Sequence, residues 1–333
     1  MKEKLKNVTL LRKIVFFIRK EFFIIDYLKD FFFYKKNYMY AKNTKSSVGY
    51  NILLQVHSIE KGLMSKKMRP FGKRKISDLS YLLNQFLNCG GSETDYEFIV
   101  GINVLRAYVD VYKANGWNHK NYNEYTTANQ TILKYQNVEN ININTIHINK
   151  NDINKFTDFN YKQFVKNRHS VRSYSKRKLS KDDLEYAIEC AINSPSACNR
   201  QMCKVYYVKD ENKKNIIINY GQGFGNFELE NANIFIITYD TAAFHFIGER
   251  NHGYFNAGLF SMNFVNALHS QGIGSCFVQF GNSKKDENII KKICSISSSE
   301  RIAVLVSAGY YEENISAPKS TRKDKKDVFK IIE

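Results

Sequence analysis

Two short segments near the middle of the chain combine residue types that could bind a phosphorylated ligand. The first is Arg168-His169-Ser170-Val171-Arg172, which places two permanent cations on either side of a small hydroxyl. Arginine forks match pairs of phosphate oxygens in a bidentate geometry that lysine does not offer. This segment is therefore a candidate anion site.

The second segment, Pro195 to Gln201, has little side-chain bulk at its start and amides near its end. Pro195, Ser196 and Ala197 would let a flat ring lie close to the backbone. Asn199 and Gln201 are both donors and acceptors, which suits hydroxyl groups or ring edges. A phosphate, a polyol and a flat ring together describe flavin mononucleotide (FMN).

The two segments resemble the N-terminal signature of the FMN-dependent nitroreductase family. The strings that carry the resemblance are NRHSVRSYSKRKLS at residues 167–180 and SPSACNRQMCKVYYV at residues 194–208. The resemblance continues to the C-terminus and covers roughly the second half of the chain. It implies an α+β fold with a mixed sheet flanked by helices, FMN as the cofactor, and a homodimer whose sites are built from both subunits.

The resemblance assigns cofactor-binding roles by position. Arg168 and Ser170 match residues that hold the FMN phosphate, with His169 between them. Arg172 takes the place of a cation at the pyrimidine edge of the isoalloxazine ring, where it would stabilise the negative charge of a reduced flavin. A turn of the second subunit is expected to add contacts from Pro195, Ser196, Ala197 and Asn199. Two amides near the ring are Gln222 and Gln279, and a C-terminal basic pair is Lys319 and Arg322.

Two departures from the family pattern bear on hydride transfer. Met202-Cys203 replaces the usual Pro-Trp after Gln201, and Phe280 stands where many members have glycine. A backbone N–H that must approach flavin N5 closely is harder to place at phenylalanine than at glycine.

The implied activity is two-electron hydride transfer from NAD(P)H through flavin N5 to an unidentified acceptor, in a ping-pong cycle. The Gly221–Gly225 stretch lacks the G-x-G-x-x-G spacing and follows a helix, so NAD(P)H is expected as a transient substrate. The flavin carries the chemistry, and no catalytic side chain is assigned. Phe224 and Phe227 could stack on the substrate, but an ordinary core position is the more common role of such aromatics. The alternative is a non-catalytic protein of the same fold that acts as a membrane-peripheral binding or regulatory partner.

Composition limits the other classes of function. The six cysteines include no Cys-x-x-Cys pair and no Cys/His ligand spacing, so no metal site is expected. They are expected to be reduced thiols in a cytoplasmic protein.

The net charge of +18 is unevenly distributed along the chain. Residues 1–75 carry 19 Lys or Arg and 5 Asp or Glu, a net charge of +14, which leaves +4 for the other 258 residues.

Residues 1–45 form a basic arm with apolar residues at helical spacing. Its uncharged runs are too short to span a bilayer. Its apolar face could pack on the rest of the protein or lie on an anionic membrane at the inner face of the cell. The aromatics share the apolar side with Ile and Leu instead of alternating with Arg, which argues against nucleic-acid binding.

Residues 46–155 are expected to form a helical extension and a linker, and residues 156–333 the FMN-binding domain. Helices are predicted at about 76–88, 95–115 and 121–136, with an Asn-rich linker over 118–155. The string VGYNILLQVHSIEKGLM resembles a segment of nitroreductase-like proteins associated with surface-polysaccharide synthesis. His57 and Glu60 in it could form an acid/base pair or a surface contact.

The second half of the chain alternates between helical and strand patterns. Ser180 to Asp183 predicts a capped helix start, and strands are predicted at 203–208, 232–239, 275–280 and 301–308. Helices are predicted between them at about 211–219, 253–271 and 284–294. This alternation predicts a sheet covered by helices.

Overall fold

The computed structural model describes residues 24–25, 27–64, 68–118, 122–143, 159–221, 223–224, 228–280, 284–315, 317, 320 and 322–333. The first half of this described chain is helical. Its four long helices are α1 (Lys45–Leu63), α2 (Lys73–Asn88), α3 (Tyr96–Ala114) and α4 (Asn123–Lys134). Helix α1 begins at a capping box in which Thr44 and Ser47 satisfy each other's backbone N–H groups. The three helices predicted between residues 76 and 136 are confirmed, and α4 occupies part of the predicted linker.

The second half contains a four-stranded sheet flanked by helices, and the prediction of an α+β fold is confirmed. The strands are β1 (Cys203–Val208), β2 (Asn233–Asp240), β3 (Ile273–Val278) and β4 (Glu300–Tyr310). Their order is β1-β2-β4-β3, and all three pairings are antiparallel. The parallel contribution to the sheet is a bridge between Ser170 and Ser275. Helices α5 (Tyr161–Asn167), α6 (Lys181–Ile192), α7 (Glu211–Tyr220), α8 (His252–Ser270), α9 (Lys284–Ile293) and the short α10 (Lys325–Val328) complete the order.

Strand β2 is buried on both faces, as its nearly continuous apolar sequence requires. Phe235 and Ile237 on one face join a core that includes α8 and continues into the N-terminal helices. Ile234 and Ile236 on the other face join a second core with residues of α7 and α9. The predicted boundary near residue 155 lies in 144–158, outside the described residues, so the domain division remains a prediction.

The described part of the basic arm packs on the sheet domain. Residues 27–37 are helical, and Asp30 forms an ion pair of 2.7 Å with Arg301. The Nζ of Lys284 lies 3.4 Å from the centroid of the Phe33 ring. The hydroxyls of Tyr34 and Tyr239 share a hydrogen bond of 3.1 Å. The first expected alternative, packing on the protein, therefore describes this segment, whereas residues 1–23 and 26 lie outside the described chain. None of the helices that the structure describes has both the length and the apolar character needed to cross a membrane.

Candidate functional site

The segment from Arg168 to Arg172 leaves α5 and runs beside the edge strand β3. The backbone N–H of Val171 donates to the Ser275 carbonyl at 3.1 Å, within the Ser170–Ser275 bridge. Phe164 of α5 packs on His269 near the end of α8, with the two ring centroids 4.9 Å apart. The segment is thus held by its backbone and by neighbouring rings, while Arg168, Ser170 and Arg172 remain half-buried and His169 is exposed.

Two arginines act on the same buried thiol next to this bridge. Burial raises the pKa of Cys276, while Arg172, Ser170 and Arg168 act to lower it. Both guanidinium groups thus act electrostatically on Cys276, and Ser170 lies between the two arginines in sequence. Burial also lowers the pKa of His269, and Arg168 and His169 add to that effect. The segment thus offers half-buried cations, as an anion site requires.

Two other expected segments meet the same region. The backbone N–H of Glu228 donates to the Arg172 carbonyl at 2.9 Å. A Cβ on Gly223 would lie 3.4 Å from the backbone nitrogen of Gln279, so Gly223 lies against the end of β3. Gln279 is exposed there, whereas Phe280 packs against the second core. The structure thus places Glu228 beside Arg172 and Gly223 beside Gln279.

The turn from Ser196 to Gln201 adopts an unusual backbone conformation. Cys198, Asn199 and Gln201 have φ values of 52, 51 and 50 degrees, in a region that non-glycine residues rarely adopt. The Ala197 N–H donates to Asn256 Oδ1 at 3.1 Å, and the Gln201 N–H donates to Ser196 Oγ at 2.9 Å. Such a conformation persists only where the surroundings enforce it.

A buried ion pair supplies much of that enforcement. Arg200 is fully buried, and its two terminal nitrogens lie 2.8 and 2.6 Å from the Glu249 carboxylate oxygens. Its Nε donates to the Ala197 carbonyl at 2.9 Å, and its Nη1 also donates to the Ala243 carbonyl. Burial alone would raise the pKa of Glu249, but the hydrogen bonds from Arg200 and from the His245 backbone outweigh it and lower that pKa.

The turn also contacts the N-terminal helices. Gln201 Nε2 donates to the hydroxyl of Tyr96 on α3 at 3.1 Å. A cavity of about 110 Å³ borders the turn and is lined in part by Ser194, Ser196 and Asn256. Cofactor pockets usually measure about 300 to 1,000 Å³. The cavity at the turn is therefore too small by itself for a ligand of the size of FMN.

The two expected halves of the site lie at different positions along α8. The Arg168 segment is near His269, whereas the turn is fastened to Asn256. Thirteen residues of α-helix between these contacts correspond to about 20 Å. Within one chain, the two segments are therefore attached about 20 Å apart along this helix.

The remaining expected residues have separate outcomes. Pro195 and Asn199 are exposed at the turn, and Ala197 is half-buried. Arg322 is exposed, and its described side-chain hydrogen bond is to the nearby Ser320 carbonyl. Gln222, Phe227 and Lys319 lie outside the described residues. Phe224 is only 6% exposed and belongs to the second core, so of the two expected alternatives it is the core aromatic.

Sequence analysis missed the partners that hold the turn. It gave no role to Arg200, which sits inside the quoted motif, and did not identify Glu249 or Asn256. An arginine between Asn199 and Gln201 was the available signal. Its acidic partner lies 49 residues further along the chain.

Comparison with known proteins bears on the resemblance of the C-terminal half. The nitroreductase family model matches residues 165–233 and 223–310. The matched region, residues 165–310, lies in the C-terminal half of the chain. The predicted resemblance is confirmed, and both site segments lie inside the matched region.

Solved structures similar to the nitroreductase domain cover about half of the chain and leave the N-terminal extension uncovered. A candidate nitroreductase from Desulfovibrio desulfuricans, crystallised with FMN, is 19% identical over 52% of this chain and 96% of that chain, with a TM-score of 0.45. A nitroreductase family protein from Streptococcus pneumoniae is 22% identical over 52% and 100%, with a TM-score of 0.44. An FMN-dependent nitroreductase from Clostridium difficile is 24% identical over 49% and 92%, with a TM-score of 0.39. A comparison with curated proteins found no match.

Proposed function

We propose that the nitroreductase domain binds FMN and is an oxidoreductase that moves two electrons from NAD(P)H to an acceptor. The observation that carries this proposal is the position of Arg168, Ser170 and Arg172 on the segment that pairs with β3, where all three are half-buried. Family membership and the FMN complex of the Desulfovibrio protein support FMN as the cofactor.

The chemistry of these donors fits the cofactor. Arg168 and Ser170 would hold the phosphate, and Arg172 would lie at the edge of the ring that becomes negative on reduction. Gln279 and the Gly223 loop would border the ring from the end of β3. Bound FMN supplies the hydride chemistry itself, so the residues of this chain bind, orient and exclude water.

A homodimer is part of the same proposal. The turn that would complete the site lies about 20 Å along α8 from the Arg168 segment, which a second copy could supply. Apolar side chains are exposed near the turn and along α8: Ile192 is 56% exposed, Phe255 66% and Met262 36%. Exposed apolar surface of this kind marks an interaction site. We also propose a cytoplasmic location, because all six cysteines are free thiols.

A link to surface-polysaccharide metabolism rests on the string at residues 48–64 alone and leaves the acceptor open. His57 and Glu60 in that string form a 3.6 Å contact, with each side chain about one-third exposed. This pair is a surface contact and adds no chemistry to the proposed site.

The second candidate function is a non-catalytic partner that keeps the fold. The position of Phe280 favours it, since this side chain occupies the place of a glycine and packs inward beside Gln279. The visible spectrum of purified protein, followed by anaerobic addition of NADH or NADPH, separates the two candidates. A flavin band that bleaches is expected from the oxidoreductase. A flavin band that never bleaches would favour the partner.

The binding residues have their own test. Arg168→Ala with Ser170→Ala is expected to remove most of the flavin that copurifies with the protein, because the phosphate loses both contacts. Arg74→Ala with Ser77→Ala on the exposed face of α2 is the matched control and should keep its flavin. Equal flavin content in the two double variants would reject the assignment.

A further inference from the structure

An apolar trough of about 230 Å³ lies between helix 27–37 and the loop at residues 244–250. Phe31, Tyr34 and Tyr38 line it from the helical side. Positions three, four and seven apart share one face of a helix, so these rings point the same way. Phe246 and Ile247 form the opposite wall. The trough is separate from the proposed flavin site.

The floor of the trough is fixed by contacts within the protein. The ring of Tyr34 stacks on Phe244 with centroids 5.9 Å apart and planes at 25 degrees. The Tyr34 hydroxyl is engaged with Tyr239, and the Phe244 carbonyl accepts from the Met39 N–H at 2.9 Å. A ligand would therefore meet a preformed apolar surface, which lowers the ordering cost of binding.

The walls are open to solvent at their upper edge. Phe31 is 51% exposed, Phe246 57% and Ile247 65%. Three large apolar side chains facing one trough are unfavourable in water, and such patches on soluble proteins mark binding surfaces.

The charged side chains that line the trough are both positive. Lys35 and Arg250 line it, and both are exposed. None of its lining residues is acidic. Glu249, adjacent to Arg250 in sequence, is turned inward to Arg200 and does not neutralise the rim. An apolar trough with two cations at its edge matches a molecule that has an apolar body and an anionic end.

We propose that this trough binds an amphipathic anion, an unbranched apolar chain that ends in a phosphate or a carboxylate. The chain lies on Tyr34 and Phe244 between the walls, and the anionic end contacts Lys35 and Arg250. The volume is below that of ordinary drug-sized pockets, about 300 to 1,000 Å³, which suits a narrow chain better than a fused ring system. The same chemistry occurs in a free amphiphile and in an anionic lipid of a bilayer.

Titration calorimetry of the full chain with decyl phosphate tests the proposal, with decanol and decyltrimethylammonium as comparison ligands. Decyl phosphate is expected to bind roughly fivefold or more tightly than decanol, because each exposed charge contact contributes up to about 1 kcal/mol. The cationic ligand should bind least. Equal binding of all three, or no binding of decyl phosphate, would overturn the proposal.

Two variants separate the apolar and charged contributions. Lys35→Gln with Arg250→Gln should lower the affinity for decyl phosphate to that for decanol and leave decanol unchanged. Lys162→Gln with Lys213→Gln removes two exposed cations elsewhere and should change neither affinity. Ile247→Asp should abolish binding of decyl phosphate. A native affinity in the Lys35/Arg250 variant would contradict the assignment whether or not the Ile247 variant folds.

Vesicles identify the source of the ligand. Cosedimentation with phosphatidylglycerol vesicles but not phosphatidylcholine vesicles, displaced by decyl phosphate, supports the proposal with a bilayer lipid as the ligand. Binding of decyl phosphate without cosedimentation supports it with a free amphiphile. Cosedimentation that the Lys35/Arg250 variant retains in full would show that the trough is not the lipid contact.

Discussion

Arg168 and Arg200 belong to the two expected parts of one cofactor site, yet the protein uses their charges differently. Arg168 is half-buried at the end of α5, next to a backbone that the β3 bridge already holds. Arg200 is fully buried and is engaged by Glu249 and two carbonyls. The first arginine is available to a ligand, whereas the second holds the turn. A shared motif can therefore contain both binding residues and residues that only position them.

Removing the Arg200 partner should give the largest effect on stability. Glu249→Ala leaves a buried guanidinium without its carboxylate, which typically costs about 3 to 5 kcal/mol. Urea denaturation would measure this loss. Arg168→Ala is the contrasting variant, and its free energy of unfolding should change by less than about 0.5 kcal/mol. Similar losses in the two variants would contradict the difference drawn between these arginines.

The neutral side chain of Asn256, which also holds the turn, should contribute less to stability than the Arg200–Glu249 ion pair. Asn256 is 3% exposed, accepts from the Ala197 N–H and donates to the His252 carbonyl at 2.6 Å. Asn256→Ala removes a buried amide and leaves the half-buried Ala197 N–H without its acceptor, at a cost of about 1 to 3 kcal/mol. Asn263→Ala on the same helix removes one half-buried bond to Ser194 and serves as the control. The comparison is wrong if thermal unfolding shows the two losses to be equal.

The smallest expected effect is a pH dependence at the Arg168 end of α8. Burial, with Arg168 and His169, lowers the pKa of His269 below 6.5. As the pH falls below about 6.5, the unfolded chain binds this proton more readily than the folded chain, so stability decreases. The decrease is expected to be shallower in His269→Gln when unfolding is measured between pH 7 and pH 5. An unchanged slope would remove His269 as its source.

Local patterns in the sequence predicted most of the C-terminal domain. Strand β1 has the predicted bounds, and α7, α8 and α9 agree within one residue at each end. Ser180 and Asp183 form the expected capping box. These elements were predictable because apolar periodicity and caps act over a few residues. The site residues came from the resemblance, which supplied positions but not their surroundings.

The sequence by itself determined which residue types are present at the proposed site: two arginines and a hydroxyl beside a strand, and a turn of small residues and amides. Tertiary structure decided how those residues are used. It buried Arg200 against Glu249, covered Phe224 and placed the turn far from Arg168 along α8. It also packed helix 27–37 against loop 244–250 to form the trough. Each of these outcomes depends on contacts between residues distant in sequence, and no local pattern contains that information.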